Sequence, residues 1–263
     1  MKIDVLNLNG EPVEKIDLPK VFSENFRPDV IRRAVIALQS QRRQPYGTDV
    51  LAGLRTSAHY HGSRRLRYTM MMRDMARMSR IHGGSPNMGW RARKVPQAVK
   101  GRMAHPPKVE KIWAQKINKK EKRLALRSAI AATGNKDIVK NRGHVIDKIK
   151  TLPLIVKDDI ESIKKTKDVE KLFLSLGLDG ELKRLDKRKV RAGKGKMRGR
   201  KYKEKIGPLI IVDKDKHIKR ACENLTGVDV LNVKNISVEY LAPGSMPGRL
   251  TIWSKSSIEK LSV

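Results

Sequence analysis

Apolar and polar residues alternate from Lys2 to Leu8, the period of a half-buried strand, and Gly10, Glu11 and Pro12 turn the chain after it. From Pro28 the period changes. Ile31, Ala34, Val35 and Leu38 recur at helical spacing and predict a helix with one buried face, opened by proline in its first turn and closed by residues 41–45 (QRRQP). A further helix is expected from Asn118, with Glu121 placed to reach back to its start as in a capping box. Its inner face would be Leu124, Ala125, Ala129 and Ala132, before Gly134. Short apolar runs then recur at 152–156, 208–212, 228–233 and 250–253. Amphipathic stretches separate them: 168–176 carries Val169, Leu172, Phe173 and Leu176, and 215–225 carries Ile218, Ala221, Cys222 and Leu225. Residues 256–261 read as a closing helix. Buried strands alternating with such helices imply right-handed crossovers and a layered α/β fold, a mostly parallel sheet flanked by helices.

The pattern breaks in two places. Residues 46–107 hold only scattered aliphatics among many Gly and Pro, and a connection of that length inside a compact domain is functional or disordered. Within it, Leu66, Met70, Met75 and Met78 are loosely periodic and predict a helical insert over 64–81, its Met stripe packing an irregular gap. The second break, 182–205, separates a helix from a strand and reads as a projecting, flexible loop with the core RAGKGKMRGRKYK at 191–203. The organisation expected is a single α/β domain over 1–263 with an extended basic loop at 45–111 and a second basic loop at 182–205.

Charge gives both breaks a meaning. The chain of 263 residues carries 59 Lys and Arg against 27 Asp and Glu, a net charge of +32. Such an excess opposes compaction unless a polyanion neutralises it, and nucleic acid does so with release of condensed counterions. Residues 41–110 hold 15 Lys/Arg and 3 acidic residues, and 182–205 hold 13 and 2, so the charge concentrates where regular structure stops. The first segment mixes Arg42, Arg43, Arg55, Arg64, Arg65, Arg67 and Arg80 with Tyr46, Tyr60, Tyr68 and Trp90. It continues through Arg91, Arg93, Lys94, Lys100, Arg102 and Lys108. The second supplies Lys194, Lys196, Arg198, Arg200, Lys201 and Lys203. Guanidinium forks grip phosphates and stack on bases, and aromatic rings offer base platforms.

Other chemistry finds little support. The glycines at 193–199 lack the Gly-Lys-Ser/Thr ending of a phosphate loop. His59 and His61 form a His-x-His pair, with His82 and His105 elsewhere in the segment, but no cysteine or carboxylate cluster accompanies them. Hydrogen bonding to RNA, for His59 in particular, or simple exposure is therefore expected in place of a metal. Cys222 is the one cysteine, on an inner helix face, and reads as a small buried hydrophobe. Asp158, Asp159 and Glu161 read as acidic residues at a helix start. No nucleophile is paired with a base, so neither catalysis nor a cofactor is expected. No apolar run is long enough for a membrane span and the N-terminus lacks a signal-peptide core, which leaves a cytosolic location as the expectation.

Several stretches together resemble the large-subunit ribosomal protein four family, in its archaeal and eukaryotic branch. They are 44–49 (QPYGTD), 52–56 (AGLRT), 91–102 (RARKVPQAVKGR), 104–108 (AHPPK), 122–133 (KRLALRSAIAAT), 142–144 (RGH), 195–202 (GKMRGRKY), 241–244 (LAPG) and 250–253 (LTIW). The chain ends without the long basic extension usual in eukaryotic members, so the archaeal form is expected. The resemblance implies an α/β domain on the outer side of the subunit and an extended loop threaded into large-subunit RNA. It implies that the loop tip, between 62 and 93, helps to wall the nascent-peptide exit tunnel. The implied partners are large-subunit rRNA, neighbouring large-subunit proteins and the nascent chain, with no membrane and no small-molecule substrate. Binding early in subunit assembly is also implied.

Two other classes stay open at this level. A parallel sheet binds ligands at its carboxyl ends, so an RNA-modifying or nucleotide-dependent enzyme is conceivable by fold analogy alone. Charge does not separate RNA from DNA, although no helix-turn-helix or zinc-finger pattern is present.

Overall fold

The computed structural model describes residues 2–66, 69–82 and 85–261. It divides into two compact units, Met1–Arg42 with Ala114–Val263 and Arg43–Trp113.

In the first unit, β1 (Lys2–Leu6) turns at Gly10 into an antiparallel partner, β2 (Pro12–Asp17). The sequence pattern missed β2, an edge strand with no buried residue and therefore little alternation to read. Next come α1 (Pro28–Gln41), α2 (Lys119–Gly134), α3 (Lys136–Arg142), β3 (Leu154–Val156), α4 (Thr166–Ser175) and α5 (Asp179–Asp186). A two-stranded ribbon follows, β4 (Lys189–Val190) against β5 (Tyr202–Lys203), then β6 (Leu209–Val212), α6 (Ile218–Cys222) and β7 (Asp229–Asn232). The unit closes with α7 (Val238–Leu241), β8 (Thr251–Ser254) and α8 (Lys255–Glu259).

Six strands form one sheet in the order β2-β1-β3-β8-β6-β7, parallel throughout except for the β1–β2 pair. β3, β6 and β8 are buried at every residue, as central parallel strands covered on both faces must be. Alternation then divides their side chains between two layers. Ile155, Leu209, Ile211 and Trp253 pack with Ile31, Val35 and Ala129 of α1 and α2. Leu154, Val156, Ile210, Val212 and Ile252 pack with Val169, Phe173 and Ala221 of α4 and α6. The expected α/β architecture is therefore present, with helices on both faces.

Local expectations needed correction. Asn118 does flank α2, but its side chain makes no capping bond, and Glu121 lies 2.8 Å from Arg33 of α1 instead of reaching back. Leu124 is exposed, and Ser128, Ile130 and Ala131 join the buried face. The helix expected over 215–225 has only the five residues of α6. Asp158, Asp159 and Glu161 do lie in the first turn of a helix, the short 3-10 turn Asp158–Ser162, but Glu161 has a second role. It is buried beyond the carboxyl ends of the sheet, accepting from the Asp213 and Lys214 amides at 3.0 and 3.4 Å and from Ser254 Oγ at 3.2 Å.

The second unit contains no α-helix, and no strand longer than an isolated bridge, among the described residues; its one short helical turn is 3-10, Met70–Met72. Residues 67 and 68 lie outside the described residues; in the described part of 64–81 the expected helix does not form, because the backbone groups bond elsewhere. Arg80 exchanges both backbone bonds with His59, at 3.0 and 3.2 Å, and Met70 N–H donates to His61 O at 3.2 Å. Thr69 Oγ1 donates to Leu66 O at 3.0 Å, a local bond that competes with the helical ladder. Close backbone crossings take the place of a core. Gly53, at φ +77°, lies where a Cβ would meet the Arg102 backbone at 2.6 Å, and a Cβ at Gly101 would lie 1.9 Å from Val95 O. Only Ala58, Thr69 and Met70 are buried among the described residues of this unit.

Candidate nucleic-acid interface

Each unit has its own set of cations. In Arg43–Trp113, the Trp113 ring stacks on Tyr46 at 5.5 Å, with the Arg43 guanidinium 3.9 Å and the Lys111 amine 4.3 Å from its centroid. Trp90 is likewise covered, by Arg73 at 4.1 Å. These rings already hold cations, so they position guanidinium groups in addition to offering a platform.

The residues singled out from sequence divide by what their charges do. Arg80 donates to Ala76 O and to Trp90 O, both at 2.9 Å, and Arg93 donates to Val99 O, so these two guanidiniums hold the unit's own chain. Arg55 pairs with Asp49 at 2.7 Å, and Arg42, in the first unit, pairs with Glu239 at 2.7 Å. The Arg55–Asp49 pair is exposed, and such pairs contribute little and yield readily to a stronger anion. Arg64, Arg65, Arg91, Lys100, Arg102 and Lys108 are exposed, and Lys94 is half-buried. Arg67 and Tyr68 lie outside the described residues, as do Gly83 and Gly84. Trp90, Lys94 and Lys100 adopt φ of 62°, 68° and 61°, a left-handed conformation costly for a residue with a Cβ. Such strain collects where a chain is shaped for a partner.

His59, His61 and His82 come together. Ring centroids are 4.1 to 4.6 Å apart, and one ligating atom from each lies within 4.8 Å of the other two. Burial, together with the other two rings, lowers the His61 pKa from its ordinary value.

In the first unit, the expected flexible loop is the β4–β5 ribbon, bridged by a helical turn at Lys194–Arg198. Gly193 and Gly199 flank that turn at φ +75° and +77°. Lys194, Lys196, Arg198, Arg200, Lys201 and Lys203 are all exposed, and the Lys201 amine lies 5.4 Å from the Tyr202 ring. Beside the ribbon is a cleft of about 370 Å³ lined by Arg142, Arg184, Lys187, Lys189, Lys203 and Lys205, with Glu204 the one carboxylate. Sequence reading did not single out most of these cations as a site. Arg142 lies 42 residues from Arg184 in the chain, and only the fold brings them to one wall.

A buried network shapes that wall. Glu181, fully buried, accepts from Arg184 at 2.6 and 2.8 Å, from His144 Nδ1 at 2.7 Å and from the Val145 amide at 3.0 Å. Burial alone would raise its pKa, but Arg184 and His144 outweigh burial and hold it down to about 2. Burial, with Arg249 and Arg184 nearby, brings the Arg142 pKa down to about 10, still charged at neutral pH. Cys222 is buried as expected, its thiol pushed up to about 12 by burial and Asp215, and so is inert.

Comparison with known proteins agrees with this picture. A profile of the ribosomal protein L4/L1 family matches residues 16–263. A large ribosomal subunit protein uL4 from Methanosphaera stadtmanae is 48% identical over 261 residues, covering 99% of this chain and 96% of that protein. The uL4 of Archaeoglobus fulgidus is 50% identical, covering 99% and 98%, and that of Nanoarchaeum equitans is 49% identical, covering 99% and 97%. With a nearly full-length profile match and relatives near half identity over the whole chain, this protein belongs to the ribosomal protein L4/L1 family.

Proposed function

We propose that this chain is a structural, non-catalytic constituent of the archaeal large ribosomal subunit that binds large-subunit rRNA through two cationic surfaces. One is the unit 43–113; the other is the β4–β5 ribbon with its adjoining cleft. The observation that carries the reading is the concentration of exposed Lys and Arg on these two surfaces with almost no acidic neighbours. Polyphosphate is the anion that matches an array of that density. Membership of a ribosomal protein family supports this reading over an enzyme.

In this reading residues 45–111 are the extended segment that enters the RNA, and residues 62–93 form its tip at the wall of the exit tunnel, facing the nascent chain. The exposed Leu66, Met72 and Met88 among arginines support a surface covered in the assembled particle. A segment ordered by RNA is one that binds early in subunit assembly, and neighbouring large-subunit proteins would complete its surroundings. The ribosome-bound pool is cytoplasmic.

Sedimentation of a native lysate at moderate and then high salt tests this position. The protein should travel with large subunits under both conditions. Release at moderate salt, or a large free pool, would contradict an embedded constituent.

A further inference from the structure

We infer that His59, His61 and His82 form a binding site for one divalent transition-metal ion of the zinc class. The inference stands apart from RNA binding. Three imidazoles with one ring nitrogen each inside a 4.8 Å group are the donor set of a three-histidine zinc site, with a fourth position left open.

The hydrogen bonds around the rings support this use. His59 Nδ1 is 2.9 Å from Ser57 O, and His82 Nε2 is 3.3 Å from His59 O. A carbonyl only accepts, so each of these nitrogens carries the proton and donates. In the neutral rings the lone pairs are then on Nε2 of His59 and Nδ1 of His82. A metal-ligating histidine characteristically gives its other N–H to a carbonyl in this way, which fixes both tautomer and ring orientation.

The backbone brings the ligands together across a long stretch of chain. The paired bonds between His59 and Arg80, and the Trp90 amide donating to Ile81 O at 2.8 Å, hold the His82 segment against the His-x-His turn. The Trp90 ring packs edge-on to His82, centroids 5.0 Å apart, closing one side. Tetrahedral zinc with bonds of about 2.0–2.1 Å needs ligand nitrogens roughly 3.4 Å apart, so small rotations of the rings complete the site. His59 and His61 are exposed, which leaves the fourth position to water or to an anionic oxygen.

Such an ion would also supply what this unit lacks. With only Ala58, Thr69 and Met70 buried among its described residues, it has no apolar core to reinforce the backbone bonds between the segments near 59 and 82, and metal binding couples directly to folding in such cases.

The test is calorimetric titration of the untagged full-length chain with zinc chloride, followed by hydrogen exchange with and without zinc. One saturable equivalent is expected, together with new protection at residues 57–61 and 80–92. His82→Ala and His61→Ala should each abolish both effects, and His105→Ala, outside the cluster, should change neither. Absence of a saturable equivalent would overturn the inference, as would an equivalent that persists unchanged in the His61 and His82 variants. Unfolding of the first unit, followed by near-ultraviolet circular dichroism, should be the same in all three variants; a change there would show that the substitutions act on the fold and not on a metal site.

Discussion

Arg249 shows how much of this protein's positive charge is structural. Its guanidinium is buried, donating to Gly207 O at 2.8 Å, Gly227 O and Tyr240 O at 3.1 Å, and Asp229 at 2.5 Å. It therefore ties the entries of β6 and β7 to the end of α7. Arg249→Leu keeps the stem but strands those carbonyls, and should destabilise the first unit by about 3 kcal/mol or more. Urea unfolding of the full chain measures this; a loss below about 1 kcal/mol would mean water replaces the guanidinium. The pair His144 and Glu181 should make stability depend on pH. Burial lowers the His144 pKa from 6.5 even though Glu181 acts to raise it, so the folded state favours the neutral ring and stability falls as pH drops below about 6.5. Glu181, held from 4.5 down to about 2, contributes stability that is present above 4.5 and lost as pH falls towards 2. Glu181→Gln should lower the urea midpoint at neutral pH and flatten the loss below pH 4.5. A variant that tracks the parent curve at every pH would contradict this assignment.

At the scale of elements, the most legible parts were those whose burial is complete. β3, β6 and β8 are continuous apolar runs because both faces are covered, and α1 and α4 show a clean buried stripe. The short helices α3, α5 and α7 were missed because each buries only one or two residues, too few to set a period. The Met-rich stretch misled for the opposite reason. It has apolar residues near helical spacing, but its backbone bonds reach His59 and His61, and periodicity carries no record of such partners. Much the same limit applied to the site. The cations themselves were visible as composition, whereas the division of labour among them was not: Arg80 and Arg93 serve carbonyls, and Arg142 joins Lys187 and Lys189 only through the fold. The ribbon offers a clean test because Lys194, Lys196, Arg198, Arg200, Lys201 and Lys203 are all exposed. Replacing Lys194, Lys196, Arg198 and Arg200 by Ala should leave the urea midpoint of the first unit unchanged. Affinity for large-subunit RNA should fall, and its logarithmic salt slope should shrink by roughly one for each phosphate that is no longer neutralised. An unchanged slope would remove the ribbon from the interface.

On the scale of the whole molecule, two units with different sources of order share one chain. The first has two apolar layers around a sheet. The second has almost no core among its described residues, and its excess charge opposes compaction unless an anion offsets it. In RNA-free, metal-free protein, backbone amides of residues 43–113 should therefore exchange fast while those of β3, β6 and β8 are protected. In assembled subunits the same amides should become protected. Strong protection of 43–113 in the free chain would contradict a unit that takes its order from its partner.

The central claim, that the protein holds large-subunit RNA by these two cationic surfaces, is tested most directly by ultraviolet crosslinking of native large subunits and identification of the RNA-bound peptides by mass spectrometry. The account predicts crosslinks in both 43–113 and 187–205, with Tyr46, Tyr202 and the arginine-flanked segments prominent. Crosslinks confined to the helical faces of the first unit, or absent from the chain, would contradict it.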